Sequence, residues 1–282
     1  MMDVSVDYSS LDIEFSGPAH ATVAWLWLNR PAQHNAIDRP LMQDLIKAVT
    51  ALDKDPLVRV IVLAGRGKAF SHGTDLHWLQ QQSAAPLNDV LGDSKKLAHM
   101  LNLFAECATP TIARVHGVAN GIGAGLAAAC HICIAAAEAS FAITDAQLGM
   151  IPTVVGPHLI RAIGQRQCLR YFQTAERMSA VRAYEMGLAH EVTEREHLDI
   201  RLNEIINALL QCDPVAQSAA TKLIHSICAM RLGDEVVFDS LRQGAKLRGR
   251  PSTRDRLGLL QEKNFGIPFQ SASRVYPLFD SE

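Results

Sequence analysis

The sequence predicts an α/β fold over residues 1–195 and a purely helical region over 196–282. Three observations carry this. Short Val/Ile/Leu runs alternate with helix-period stripes, Gly-rich turns follow two of those runs, and beyond residue 193 only the helical period persists.

Ala21 to Leu28 is apolar and rich in Val, Trp and Leu, which predicts a strand with Trp25 and Trp27 on one core-facing side. Arg39 to Asp53 places Leu41, Met42, Leu45, Ile46, Val49 and Leu52 on one helical face. Asp38 is positioned to cap that helix, and Pro40 is tolerated in its first turn. Arg59 to Ala64 reads as a buried strand ended by Gly65-Arg66-Gly67, and Thr111 to Val115 as another, followed by Gly117. Past 195, Leu198, Leu202, Ile205, Ile206 and Leu209 form one helical stripe. Pro214 opens a second, through Ala216, Ala219, Leu223, Ile227 and Met230. Val236 to Leu247 and Thr253 to Gln261 read as two more helices.

Composition narrows the function. Hydrophobic residues make up 48% of the 282, enough for a sizeable core. Lys and Arg number 27 against 29 Asp and Glu, and the net charge of −2 gives no global field for nucleic acid or an anionic membrane. The acidic start, MMDVSVDYSSLDIEF, lacks the apolar run of a signal peptide. Gly121 to Ala137 is too short and too rich in Gly and Ala to span a bilayer. The six cysteines then read as free thiols in a reducing cytoplasm. Cys130 and Cys133 form a C-x-x-C without a second ligand pair, so they are expected to be buried small hydrophobes rather than a zinc site.

Two loops could carry chemistry. Lys68 to Leu76 (KAFSHGTDL) follows a strand, and a Gly there lets a ligand approach the backbone. His116 to Gly125 (HGVANGIGAG) opens a helix, whose first N–H groups are free and lie at the positive dipole end. The dinucleotide spacing G-x-G-x-x-G fails, because 126 is Leu, and no Gly-Lys-Ser/Thr follows as in a P-loop.

Together these loops resemble those of the crotonase (enoyl-CoA hydratase/isomerase) superfamily. The resemblance extends in order over residues 20–265: LNRP at 28–31 with Asn35-Ala36, RVIVLAG, Phe70-Ser71-x-Gly73-x-Asp75-Leu76, Gly117 to Cys130, FAITDAQLGMIP at 141–152, and Asp255-Arg256-Leu257-Gly258 with Glu262-Lys263. The segments at 151–160 and 170–177 are most similar to the methylglutaconyl-CoA hydratase branch. The resemblance implies a spiral of ββα units with a C-terminal helical trimerisation region. The assembly would be a homotrimer or dimer of trimers, with the tail stripes buried against other protomers. It also implies an acyl-CoA thioester as substrate and no separate cofactor or metal. The N–H groups of Thr74 and Ile122 would form an oxyanion hole for a thioester enolate, and Asp145 would be the acid/base. Ala36, Lys68, Phe70, His72, Gly73, Asp75, Leu76, Gly121, Gly125 and Lys263 would lie along the substrate, with Lys68 and Lys263 toward the CoA phosphates.

The chain departs from the two-carboxylate pattern of water addition. Gly125 occupies the first acid position and the shorter Asp145 the second, while Ile122 stands in a usually all-glycine stretch. Asp145 could instead cap the helix after Thr144. His72 and His77 flank the first loop, and either could act as a general base in a hydrolase acting on a thioester or a C–C bond. A non-catalytic acyl-CoA-binding subunit is the third reading. His116 and His131 read as structural.

Overall fold

The computed structural model describes residues 8–18, 20–229 and 234–262. The strands are β1 (Leu11–Ser16), β2 (Thr22–Leu28), β3 (Val58–Gly65), β4 (Thr111–Val115), β5 (Val118–Asn120), β6 (Ile132–Ala136), β7 (Ser140–Ala142), β8 (Met178–Ser179) and β9 (Glu191–Thr193). The helices are α1 (Arg39–Lys54), α2 (Leu76–Ser83), α3 (Leu87–Ala105), α4 (Ile122–Ala129), α5 (Gly156–Thr174), α6 (Ala180–Met186), α7 (Leu198–Gln211), α8 (Pro214–Ala229), α9 (Asp234–Arg248) and α10 (Pro251–Glu262).

Six strands form one sheet in the order β1-β2-β3-β4-β6-β9, parallel except for the β1/β2 pair. A second sheet, β5-β7-β8, is extended by an isolated bridge from Ser71 to Ala119, and Ile37 bridges Thr74 beside it. Each turn of the chain therefore runs from a strand of the large sheet, through a short segment of the small one, into a helix. The expected spiral of ββα units is present: β4, β5 and α4 make one turn, and β6, β7 and α5 the next.

The buried parallel strands feed two cores by alternation. Ile61 and Leu63 point into the main core with α1, α3 and α4, whereas Val60 and Val62 point to the opposite face. That opposite face is covered by Leu198, Leu202 and Ile206 of α7. Arg114 of β4 ties α7 down with a bidentate pair to Asp199, at 2.5 and 3.0 Å. This corrects the expectation that every tail stripe is kept for other protomers: α7 buries its own against the sheet. α8, α9 and α10 form as the sequence predicts, with Leu257, Leu241 and Ile224 exposed.

Asp38 caps α1 by accepting from Leu41 N at 2.9 Å. Trp25 and Trp27 share a face and stack at 5.6 Å, but only Trp25 is fully buried. Trp27 is half-buried, under the guanidinium of Arg66. Cys107, Cys130, Cys133 and Cys168 are buried free thiols, and the described residues contain no metal-ligating cluster. His131 joins β4 to α3: its Nδ1 accepts from Thr111 N at 3.2 Å and its Nε2 donates to Ala105 O at 3.0 Å. His116 donates to Gly67 O. Both histidines are structural, as the sequence suggests. No described helix is long and apolar enough to cross a membrane.

Candidate active site

Both Gly-rich loops lie at the ends of small-sheet segments, where the chain turns into α2 and α4. A buried polar bracket fixes the first loop. Asn35, with no exposed surface, donates to Arg66 O and Ala69 O at 2.9 and 2.8 Å. Ser71 Oγ donates to Asn35 O at 2.8 Å and accepts from Gly73 N at 3.2 Å. The second loop is tied to the first through Asn120 N to Ser71 O, and to β7 through Gly121 N to Ala142 O. Gly73 (φ 98°) and Gly121 (φ 47°) touch where the loops meet. A Cβ on Gly73 would lie 2.9 Å from Asn120 O, so this approach requires glycine.

The next amide in each loop, Thr74 N and Ile122 N, takes no acceptor among the described residues. Ile122 is also the first residue of α4, so its N–H is one of the free donors of a helix N-terminus. Both residues line a cleft of about 440 Å³, within the range usual for small-molecule sites. Apolar side chains from α2, α3 and the 148–155 segment make up most of its wall, including Leu79, Val90, Leu97 and Met150.

Two titratable groups line the cleft, Asp145 and His72. Asp145 opens a short 3-10 turn, Asp145–Leu148. Thr144, not Asp145, holds the cap position of this turn, and its side chain makes no capping bond. Burial raises its pKa above the ordinary carboxylate value. His72 stacks on His34 with ring centroids 4.8 Å apart. Burial first, then His34 and Arg177, lowers its pKa and favours the neutral ring.

Of the residues named from the sequence, Asp145, Thr74, Ile122, His72, Gly73, Leu76 and Gly121 line this cleft. Five do not. Phe70 is wholly buried in the main core. Asp75 caps α2, accepting from His77 N and Trp78 N, and pairs with Arg30 at 3.5 Å. Lys68 is solvent-exposed, and Ala36 is held beneath Arg30, which donates to its carbonyl. Gly125 is buried behind Val155: a Cβ there would lie 2.4 Å from Val155 Cγ1, so the place of the first acid is filled by packing. Lys263 lies outside the described residues. His77 bonds Gln81 away from the cleft. The wall from α2 and α3 belongs to no motif, because its residues are spaced by helix geometry and their types are ordinary.

This arrangement matches known proteins. The enoyl-CoA hydratase/isomerase family pattern covers residues 18–242. A crotonyl-CoA hydratase from Syntrophomonas wolfei is 30% identical over 67% of this chain and 72% of its own length. A hydroxycinnamoyl-CoA hydratase-lyase from Pseudomonas fluorescens is 32% identical over 70% and 73%. The crystal structure of an enoyl-CoA hydratase from Shewanella pealeana superimposes with a TM-score of 0.86 at 29% identity, covering 91% of this chain and 94% of that one. With the spiral fold, the two facing loops and a family match over most of its length, this chain belongs to the enoyl-CoA hydratase/isomerase family of the crotonase superfamily.

Proposed function

We propose that the protein is a hydro-lyase that adds water across the 2,3-double bond of an enoyl-CoA thioester. The observation that carries this reading is the meeting of two unpartnered amides and one carboxyl group in a single apolar-walled cleft. Thr74 N–H and Ile122 N–H hold the thioester oxygen. As water oxygen bonds to C3, Asp145 takes the departing proton, and the electron pair of the double bond moves onto the thioester as an enolate. Each preorganised donor stabilises that enolate oxygen by about 3 kcal/mol. The same carboxyl then returns a proton to C2, giving the 3-hydroxyacyl thioester. No side chain is available at Gly125, so Asp145 serves both transfers. A raised pKa suits this double use, since it brings the protonated and ionised forms closer in energy near neutral pH.

His72 supports a second reading, hydrolysis, because it lines the same cleft in a form competent to accept a proton. Product analysis with crotonyl-CoA separates the two. Loss of the conjugated-thioester absorbance without free thiol supports hydration, release of free CoA supports hydrolysis, and binding without turnover leaves an acyl-CoA-binding subunit. The likeness to the methylglutaconyl-CoA branch rests on the segments at 151–160 and 170–177. It is tested by comparing kcat/KM for methylglutaconyl- and crotonyl-CoA. We also assign trimerisation to α8–α10, where Phe238, Leu241 and Leu257 are exposed. Light scattering showing a monomer at micromolar concentration would overturn that.

A further inference from the structure

The two ends of α4 face different cavities. Its first residue lines the cleft, while Ala127, Ala128 and Ala129 at its far end line a second cavity of about 490 Å³, between α4, α5 and α8. Four histidines and an arginine converge there. His131 has both ring nitrogens engaged by backbone. His190 accepts from Cys133 N through Nδ1, which leaves Nε2–H as a donor. The other three side chains are unspent. His158 is only 6% exposed, and neither ring nitrogen has a hydrogen-bond partner among the described residues. Among the described residues, Arg161, one turn along α5, makes no ion pair and His225 of α8 makes no hydrogen bond. The His158 ring nitrogens open onto the cavity rather than into packed core, so a ligand there would find them unengaged.

We infer that this cavity binds a short-chain organic carboxylate, its anionic end held by Arg161 and His158, with His190 and His225 alongside. The alanine faces of α4 and α5 receive the alkyl body. Permanent charge comes from Arg161, and the fork of its guanidinium suits a carboxylate. The titratable and charged groups around His158 are Arg161, His131, His190, His225, Cys130, Cys228, and Glu106 at the end of α3, while Asp53 acts on His131. Burial and then Arg161 lower the pKa of His158, and Glu106 opposes them. A bound anion adds negative charge beside the ring and favours its protonation. Binding therefore takes up a proton and weakens as pH rises.

Calorimetric titration of the full-length protein with sodium butyrate, in two buffers of different ionisation enthalpy, tests this. The expected result is one butyrate per protomer with proton uptake, and affinity that falls as pH rises. Saturating CoA should not displace it, and Arg161→Gln should weaken it by about tenfold or more. Displacement by CoA would place butyrate in the cleft and overturn the assignment. So would the absence of binding heat, or inorganic phosphate binding as tightly as butyrate. Unchanged affinity in Arg161→Gln would also overturn it. Arg161 is exposed, so Arg161→Gln tests the site without disturbing the packed core.

Discussion

The two sides of the cleft are built differently. The amide-bearing loops are bracketed by backbone bonds and by the buried Asn35 and Ser71, so that Thr74 N and Ile122 N are fixed by the fold itself. The carboxylate side is a single 3-10 turn ending at the exposed Leu148 and followed by the exposed Met150 and Ile151. The contrast suggests a division of labour. Charge stabilisation demands donors that do not reorganise, and backbone in a packed sheet provides them. The group proposed for proton transfer, Asp145, sits on a segment with fewer constraints, where a shorter acid can be accommodated by a small shift of the turn or substrate.

Substitutions can break this contrast. The largest effect is expected from Asp145→Asn, which should lower hydration turnover by about a hundredfold or more while leaving the fold intact. Steady-state kinetics beside a thermal melt check it, and parental turnover would remove Asp145 from the mechanism and make His72 the residue to test. Next comes Gly73→Ala. Its Cβ would press on Asn120 O and strain a φ of 98°, spreading the loops. A displacement of about 1 Å should cost on the order of a hundredfold or somewhat less in kcat. A rate unchanged in a folded variant would show that the loop contact is not needed. Ile122→Ala keeps the N–H and removes a buried side chain. Turnover of crotonyl-CoA should stay within about threefold, bulkier acyl chains should gain, and stability should drop by about 2–4 kcal/mol. Activity lost on every chain length would mean that the side chain, rather than the amide, matters.

The smallest effect is on stability. Asp145 has a folded pKa above its ordinary value of 3.8, so the folded state holds its proton more tightly than the unfolded chain. The group therefore favours folding fully below that ordinary value, and the benefit is lost as pH rises through the raised one. Asp145→Asn should be slightly more stable than the parent at neutral pH, and the difference should vanish on acidification. Melting curves across pH read this directly, and a variant less stable at neutral pH contradicts it.

How far this contrast was visible in the sequence differs between the two sides. Glycines at 73 and 121 announce the amide loops because only glycine permits that approach, and the strands at 22–28, 58–65 and 111–115 follow from apolar runs. α3 lies outside the elements read from the sequence because its N-terminal turns leave Leu87 and Leu91 exposed and bury Asp93, which breaks the stripe. Asp93 is tolerated because Arg39 and Gln82 donate to its carboxylate. β1 is likewise outside that reading, although Leu11, Ile13 and Phe15 alternate with Asp12, Glu14 and Ser16 in a period-two pattern. The displacement of Asp75 and Gly125 from the cleft depends on Arg30 and Val155, partners distant in sequence that no local motif reveals.

The buried thiols give the fold an internal clock. Cys130 and Cys133 flank the turn between α4 and β6, and burial pushes the Cys133 thiol up to about 12 and the Cys168 thiol to about 11. A thiol so far from ionising is inert to disulfide reagents while it stays enclosed. Cys212 and Cys228 are exposed on the single chain. The remaining four cysteine sulfurs wait for the structure around them to open, so the lag between the two classes measures how often the packing around α4 opens.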